Sequence, residues 1–309
     1  MVVITNRLEQ LIKTIQAKPK TTSEVCQKVT GRLPSQINIL TEDIIELSEK
    51  AKFLKELYRK FDTKQMNIKI NGKEKEFTIF IGSKSVNQTS GFWVKNEQGQ
   101  LYYIKHATDK ASRAKLESEL IAQKLYELTG VNTVNSVPVE LENGNFGIMS
   151  EYLGKFETIY KPDEAGEIYR GFGPDVWLAN TDTFAGFVDE PNTTIFNGKL
   201  LKIDAGDTLE FSNKRFHFND KVSAIQDFVN PEKTCFISRM YDEIPRSEVI
   251  KSFESVCQVS DEEIIKVCKN EQLAQKMINR RNYMQKFLDL MNETPQTERN
   301  FHIYIIKIF

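Results

Sequence analysis

Apolar positions along the chain fall into successive regimes. Up to about Phe61 they recur at helical spacing: Leu8, Leu11, Ile12 and Ile15, then Ile44, Ile45, Leu47, Phe53, Leu54 and Leu57. Thr21 to Pro34 holds the Thr, Ser, Gly and Pro of a connection, and Thr41 before Glu42 and Asp43 suits a helix start. The lysines from Lys50 to Lys60 alternate with Glu and apolar residues, as on a solvated helix face; a phosphate-rich or membrane-surface ligand is the alternative. From Met66 the period becomes two. Met66–Ile70, Phe77–Ile81, Gly91–Val94 and Leu101–Lys105 alternate between turn signals at Asn71-Gly72 and Glu97-Gln98-Gly99, which predicts an antiparallel β-meander.

A helix follows, with Ala114, Leu116, Leu120, Ile121, Leu125 and Leu128 as its expected core stripe and Gly130 at its C-terminal end. Val137–Glu140 and Gly147–Glu151 read as two more strands. After Glu151 the pattern is irregular, then helical near Val176, then β-like from Thr194 to Phe211 around an Asn197-Gly198 hairpin turn. Arg246 to Met291 is helical by period and by its Glu, Lys and Gln content. The apolar stretch Phe301–Phe309 reads as a strand or a packing tail.

Composition narrows the function classes. The chain has 309 residues and 40% hydrophobic content, enough for a large core in two lobes, or in one domain with a helical extension. Lys and Arg number 42 against 43 Asp and Glu, so no global basic field for nucleic acid is expected. Cys26, Cys235, Cys257 and Cys268 are dispersed without a C-x-x-C pair, which argues against a zinc cluster or a disulfide-stapled domain and for a reducing, cytoplasmic setting. No apolar run approaches the roughly 20 residues that span a bilayer, and the N-terminus lacks a signal-peptide core.

The candidate chemistry lies in Trp177-Leu178-Ala179-Asn180-Thr181-Asp182, then Asn192, then Lys202-Ile203-Asp204-Ala205-Gly206. An Asp, an Asn and a second Asp in this order supply one group to orient an attacking hydroxyl and two to hold a metal, as phosphoryl transfer from a magnesium nucleotide requires. A kinase also needs an upstream lysine and a nucleotide loop. Tyr102-Tyr103-Ile104-Lys105 ends a strand with a lysine, and Gly82 to Gly91 can form a turn over phosphates, although it matches neither G-x-G-x-x-G nor Walker A. His106, His217 and His302 are far apart and no G-x-S-x-G or H-E-x-x-H accompanies them, so hydrolase and zinc-protease readings lack motifs.

Taken in order, the Gly-rich turn, Tyr-Ile-Lys105, Glu119–Tyr126 with Gly130-Val131, Met149–Tyr152, Trp177–Asp182, Asn192 and Ile203–Leu209 resemble the atypical bacterial kinase-like proteins. These are related to HipA-type toxin kinases and, more remotely, to phosphatidylinositol kinases, and include effector kinases such as those of Legionella. The resemblance spans roughly Met66 to Leu290. It implies an α+β, two-lobed protein-kinase-like fold with an N-terminal helical extension: residues 1–62 as the extension, 63–153 as the N-lobe, and 154–309 as a mainly helical C-lobe with a catalytic β-hairpin.

The resemblance also implies roles. Lys105 grips the α- and β-phosphates and Glu119 pairs with it, chosen over Glu117 by its place in the Glu-x-x-Ala-x-x-Leu-Tyr pattern. Asp182 orients the acceptor hydroxyl, and Asn192 and Asp204 bind Mg2+ or Mn2+. Gly82, Ser83 and Gly91 belong to the phosphate loop; Met149, Glu151 and Leu153 occupy the adenine-facing hinge. The gap from Thr183 to Pro191 is longer than usual, and Asp189 competes for the metal role. Ala205 replaces the Phe of Asp-Phe-Gly, which removes the usual link to the Glu119 helix. The implied activity is ATP-dependent transfer of the γ-phosphate to a protein hydroxyl, a host protein's for an effector secreted into a host cell. An inositol polyphosphate is an expected activator class. The alternatives are a phosphoinositide or small-molecule kinase, and a nucleotide-binding pseudokinase scaffold.

Overall fold

Turn chemistry closes the alternating runs into strands. Asn71 (φ 50°) and Gly72 (φ 77°) both take positive φ, as a two-residue hairpin loop requires, and join β1 (Thr63–Ile70) to β2 (Lys73–Phe80). In this computed structural model, residues 49–83, 91–154, 165–180, 192–212, 218–220, 222 and 244–293 are described. The chain divides into two units, Met1–Lys55 and Glu56–Phe309. Residues 49–60 are helical, with Lys52, Lys55 and Lys60 exposed. The expectations for residues 1–48 and for the tail 301–309 lie outside the described residues.

After β2 come β3 (Gly91–Lys95), β4 (Leu101–His106), helix α1 (Lys110–Leu128), β5 (Asn132–Thr133), β6 (Val137–Leu141) and β7 (Phe146–Glu151). The sheet is not an open meander. It is a closed barrel in the order β1-β2-β3-β4-β7-β6, because β6 returns after α1 to pair antiparallel with β1, Ile68 facing Leu141 and Ile70 facing Val139. Closure removes both unpaired edges. It also surrounds an interior of Ile68, Phe77, Val94, Ile104, Leu141 and Met149, all buried.

Helix α1 starts with a reciprocal cap: Asp109 accepts from the Ser112 amide at 2.7 Å and Ser112 Oγ accepts from the Asp109 amide at 3.0 Å. Its buried face is Leu116, Glu119, Ala122, Gln123, Leu125 and Tyr126. Ala114, expected in the core, is exposed. Two polar residues share the buried face, so a stripe drawn from apolar residues alone is rotated from the true one.

The second half of the described fold consists of α2 (Ala165–Tyr169), α3 (Phe172–Leu178), the hairpin β8 (Thr193–Phe196) and β9 (Lys199–Lys202), α4 (Arg246–Cys257), α5 (Asp261–Cys268) and α6 (Glu271–Glu293). Asn197 (φ 51°) and Gly198 (φ 71°) make the hairpin turn. The expected β run to Phe211 ends at Lys202; a loop follows, then a 3-10 turn over Leu209–Phe211. Strand β5 pairs in parallel with β9, giving a three-stranded sheet β5-β9-β8 that fastens the end of α1 to the hairpin. Tyr126, Phe172, Trp177, Phe253, Met277 and Phe287 belong to one buried cluster shared by α1, α3, α4 and α6. Cys257 and Cys268 are free thiols, while Cys26 and Cys235 lie outside the described residues. Among the described residues, no helix is long and apolar enough to cross a membrane.

Helix α3 ends where the candidate catalytic loop begins, and its last carbonyls need partners. Arg280 of α6 supplies them. Its Nε donates to Trp177 O and Nη2 to Val176 O, each at 2.7 Å, while Nη1 donates to Asn219 O at 2.7 Å. Trp177 Nε1 returns a bond to Met277 O at 3.0 Å. Removing the guanidinium strands the buried Trp177 O, at roughly 1–3 kcal/mol, and leaves Val176 O with the Ala179 amide alone. Arg280→Met is therefore expected to lower the unfolding free energy by about 1–3 kcal/mol in urea titrations; a change within experimental error would show that water replaces the cap.

Candidate active site

Strand alternation sets the first side chain of the site. Ile104 points into the barrel, so Lys105 points outward, toward α1. Its Nζ lies 2.8 Å from Glu119 Oε1 and 3.0 Å from Asp204 Oδ2. The helix period separates the two nearby carboxylates. Glu119 is buried, while Glu117 is exposed and pairs with Arg113 Nε at 2.9 Å.

Asp204 lies two residues beyond the end of β9. Its Oδ1 accepts from the Gly206 amide at 2.8 Å and its Oδ2 faces Lys105, so both oxygens are held while 38% of the side chain stays exposed. Asn192 precedes β8 and is buried; its carbonyl accepts from the Ile203 amide at 2.9 Å. The hairpin thus carries Asn192 and Asp204 at one open end, since Thr193 pairs with Lys202. Asp182, expected to orient the acceptor, and Asp189 lie outside the described residues.

Charge within this group is unequally shared. Burial pulls Lys105 down, but Asp204 and Glu119 outweigh it and leave the ammonium raised above its usual value. Burial pushes Asp204 up, but Lys105 and the Gly206 N–H outweigh it and hold the carboxyl low. Glu119 goes the other way: burial, with Asp204 adding to it, raises it to about 7 against the pull of Lys105. A buried carboxylate and a partly exposed one share one ammonium, and Glu119, the buried one, most readily gains a proton.

The remaining expected residues are placed as follows. Gly82 sits at a turn with φ 75° and open space around it. Ser83 is buried, its hydroxyl donating to Phe80 O at 2.5 Å and accepting from the Trp93 amide at 3.0 Å, so it ties β2 to β3. Gly91 pairs with Lys105 across the sheet, and a Cβ there would meet the Tyr103 hydroxyl at 2.3 Å. Residues 84–90 lie outside the described residues. Met149 faces the barrel interior, away from Lys105, as it pairs with Ile104; Glu151 is exposed at the end of β7 and Leu153 is half-buried beyond it.

Behind the site lies a polar network that motif reading overlooked. Lys202 Nζ reaches Asp175 Oδ2 at 2.8 Å and Thr193 Oγ1 at 3.2 Å. Tyr126 OH donates to Asp175 Oδ1 at 2.7 Å and accepts from Asn180 Nδ2 at 2.8 Å. All five residues are buried. Burial pulls Lys202 below its usual value, with Asp175 opposing. The available signals were single charges in apolar runs: Asp175 within Phe172–Leu178, and Lys202 closing Leu200-Leu201.

No protein-family profile matches the sequence, and no curated protein matches it. Among solved structures, the chain is similar to the Helicobacter pylori proinflammatory kinase CtkA, at 11% identity over 71% of this chain and 97% of that one, with a TM-score of 0.47. It is also similar to HipA from a Shewanella oneidensis MR-1 toxin–antitoxin system, in a complex with HipB and operator DNA. There the identity is 12%, over 76% of this chain and 66% of that one, with a TM-score of 0.37. Neither likeness assigns the chain to a family.

Lys202 and Asp175 offer a direct test of the frame behind the site. Lys202→Met leaves a carboxylate buried without its cation, a defect that costs about 3–5 kcal/mol. Thermal melts should show a large loss for that variant and a smaller one for Lys202→Met combined with Asp175→Asn. Equal losses would mean that the pair does not act as a unit.

Proposed function

We propose that this protein is an ATP- and magnesium-dependent phosphotransferase that moves a γ-phosphate to a protein hydroxyl. The observation that carries the reading is Lys105 held at once by Glu119 and Asp204, beside a hairpin end that also presents Asn192. A lysine kept charged and aimed by a buried carboxylate is suited to grip phosphate oxygens. On this reading the barrel and α1 form the nucleotide lobe of a two-lobed kinase-like fold, and the hairpin with α3–α6 the other.

The donor set fits magnesium better than a metal caged by protein alone. Among the described residues, no three or more His, Cys, Asp and Glu side chains gather as a metal cluster. Asp204 and Asn192 offer a carboxylate and an amide oxygen, the sparse oxygen set that suits a cation whose other ligands are waters and phosphates. Bound there, the metal would neutralise charge on the transferring phosphoryl group. Asp204 would turn an oxygen from Lys105 to the metal, freeing the ammonium for phosphate. Asp182 would accept the acceptor's proton as its oxygen bonds to the γ-phosphorus and the bond to ADP breaks.

The protein acceptor, and action as an effector in a host cell, follow from the sequence resemblance. An inositol polyphosphate activator does too.

The test is transfer from ATP labelled in turn at the γ- and α-phosphate, with magnesium or manganese, with and without eukaryotic lysate and an inositol polyphosphate. The γ-label should be incorporated, and Lys105→Met, Asp182→Ala and Asp204→Ala should each lose about a hundredfold or more. Incorporation of α-label would make the protein an adenylyltransferase. ATP binding without transfer of either label would make it a scaffold.

A further inference from the structure

By the kinase-like resemblance, Ala205 stands where an aromatic residue would reach from the Asp204 loop to the helix that bears Glu119. Another contact crosses the same gap. Lys115 lies one turn before Glu119 on α1, and its Nζ is 2.7 Å from Asp207 Oδ1, three residues after Asp204. Between these two crossings the loop backbone lies against the helix. A Cβ at Gly206 would come within 3.3 Å of Lys115 Cε, 3.4 Å of Glu119 Oε2 and 3.0 Å of Asp204 Oδ1.

The loop is anchored differently on its two sides. Ala205, Thr208 and Leu209 are buried, and Ala205 and Leu209 join the cluster that holds Ala122 and Leu125, which fixes the loop to the C-terminal half of α1. Asp204 and Asp207 face the N-terminal half, where a cavity of about 160 Å3 is lined by Lys105, Ser112, Lys115, Leu116, Glu119 and Asp207 among others. On its other face the first half of α1 is held by the barrel, Leu116 packing with Ala107 and Ile148, so across the cavity the loop and the helix meet through side chains alone, Lys115 with Asp207 and Lys105 with Glu119 and Asp204.

We infer that the Lys115–Asp207 ion pair is a latch that holds the first half of α1 on the Asp204 loop and so keeps Glu119 and Asp204 together on Lys105. Lys115 and Asp207 are then positioning residues, and their consequence for turnover rests on the phosphotransferase reading. The pair is 36% and 41% exposed, so it adds little to global stability and is weakened by salt. It is suited to setting the site, and to opening, without unfolding the protein.

Lys115→Met, Asp207→Asn and the reversed pair Lys115→Asp/Asp207→Lys test this in the full chain by two readouts. Amide hydrogen exchange should show lost protection over residues 110–119 and 204–208 in each single variant, recovered in the reversed pair, with melting temperatures within about 3 °C of wild type. Transfer of γ-label should fall about tenfold in each single variant, mainly as a higher magnesium requirement, and recover in the reversed pair. Raised salt should slow the wild type more than Lys115→Met. Unchanged exchange in the single variants overturns the latch whatever the activity. Altered exchange in a protein that transfers no phosphate leaves the latch standing and overturns the phosphotransferase reading. Altered exchange with unchanged transfer overturns the positioning role.

Discussion

A lysine and an aspartate with almost no exposure cost the fold several kcal/mol in lost hydration unless every donor and acceptor is matched. Lys202 and Asp175 meet that condition only where three elements converge. Tyr126 comes from α1, Asp175 from α3, and Lys202 with Thr193 from the β8–β9 hairpin. Each element carries or leads to a member of the candidate site. Asp204 is two residues beyond Lys202, Glu119 is two helical turns, about 10 Å, before Tyr126, and the chain runs from Asp175 through Asn180 toward Asp182. A shift of any one element would break a buried bond, so the network fixes the spacing of the site from behind.

The barrel contributes by a different rule. Its interior is apolar and closed, so a charged residue on β4 must face outward, and the alternation that buries Ile104 aims Lys105 at α1. There one ammonium serves two carboxylates. Burial raises Glu119, and the negative charge of Asp204 adds to it against the pull of Lys105.

Local features were legible in the sequence because local chemistry decides them. Asn71-Gly72 and Asn197-Gly198 read as tight turns and are tight turns, since both residues must tolerate positive φ. The α1 helix was legible from its period. Closure of the barrel was not, because the pairing of Ile70 with Val139 joins residues far apart in sequence and leaves no signature in either strand. The run to Phe211 looked like strand by composition, yet pairing ends at Lys202, where the chain turns to present Asp204. Ala114 was misread because Glu119 and Gln123 occupy core positions that hydrophobicity alone gives to other residues. Asp175 and Arg280, and the burial of Lys202, escaped notice for the same reason: a buried charge looks like a surface charge until its partner is known.

The ion pairs of this protein therefore divide by environment, and the division has mechanical meaning. Lys202–Asp175 is sealed from water, where Coulomb attraction is strong and separation would leave two unsolvated charges. Lys115–Asp207 borders solvent, where water and salt can replace either partner at small cost; Lys105–Asp204 is intermediate, its lysine 14% and its aspartate 38% exposed. The hidden pair can hold only one geometry, whereas the Lys115–Asp207 pair can be exchanged for water. If the proposed phosphotransfer holds, Asp204 would leave Lys105 for a metal, and the rigid network behind the site would let that exchange move side chains and not the strands and helix that carry them.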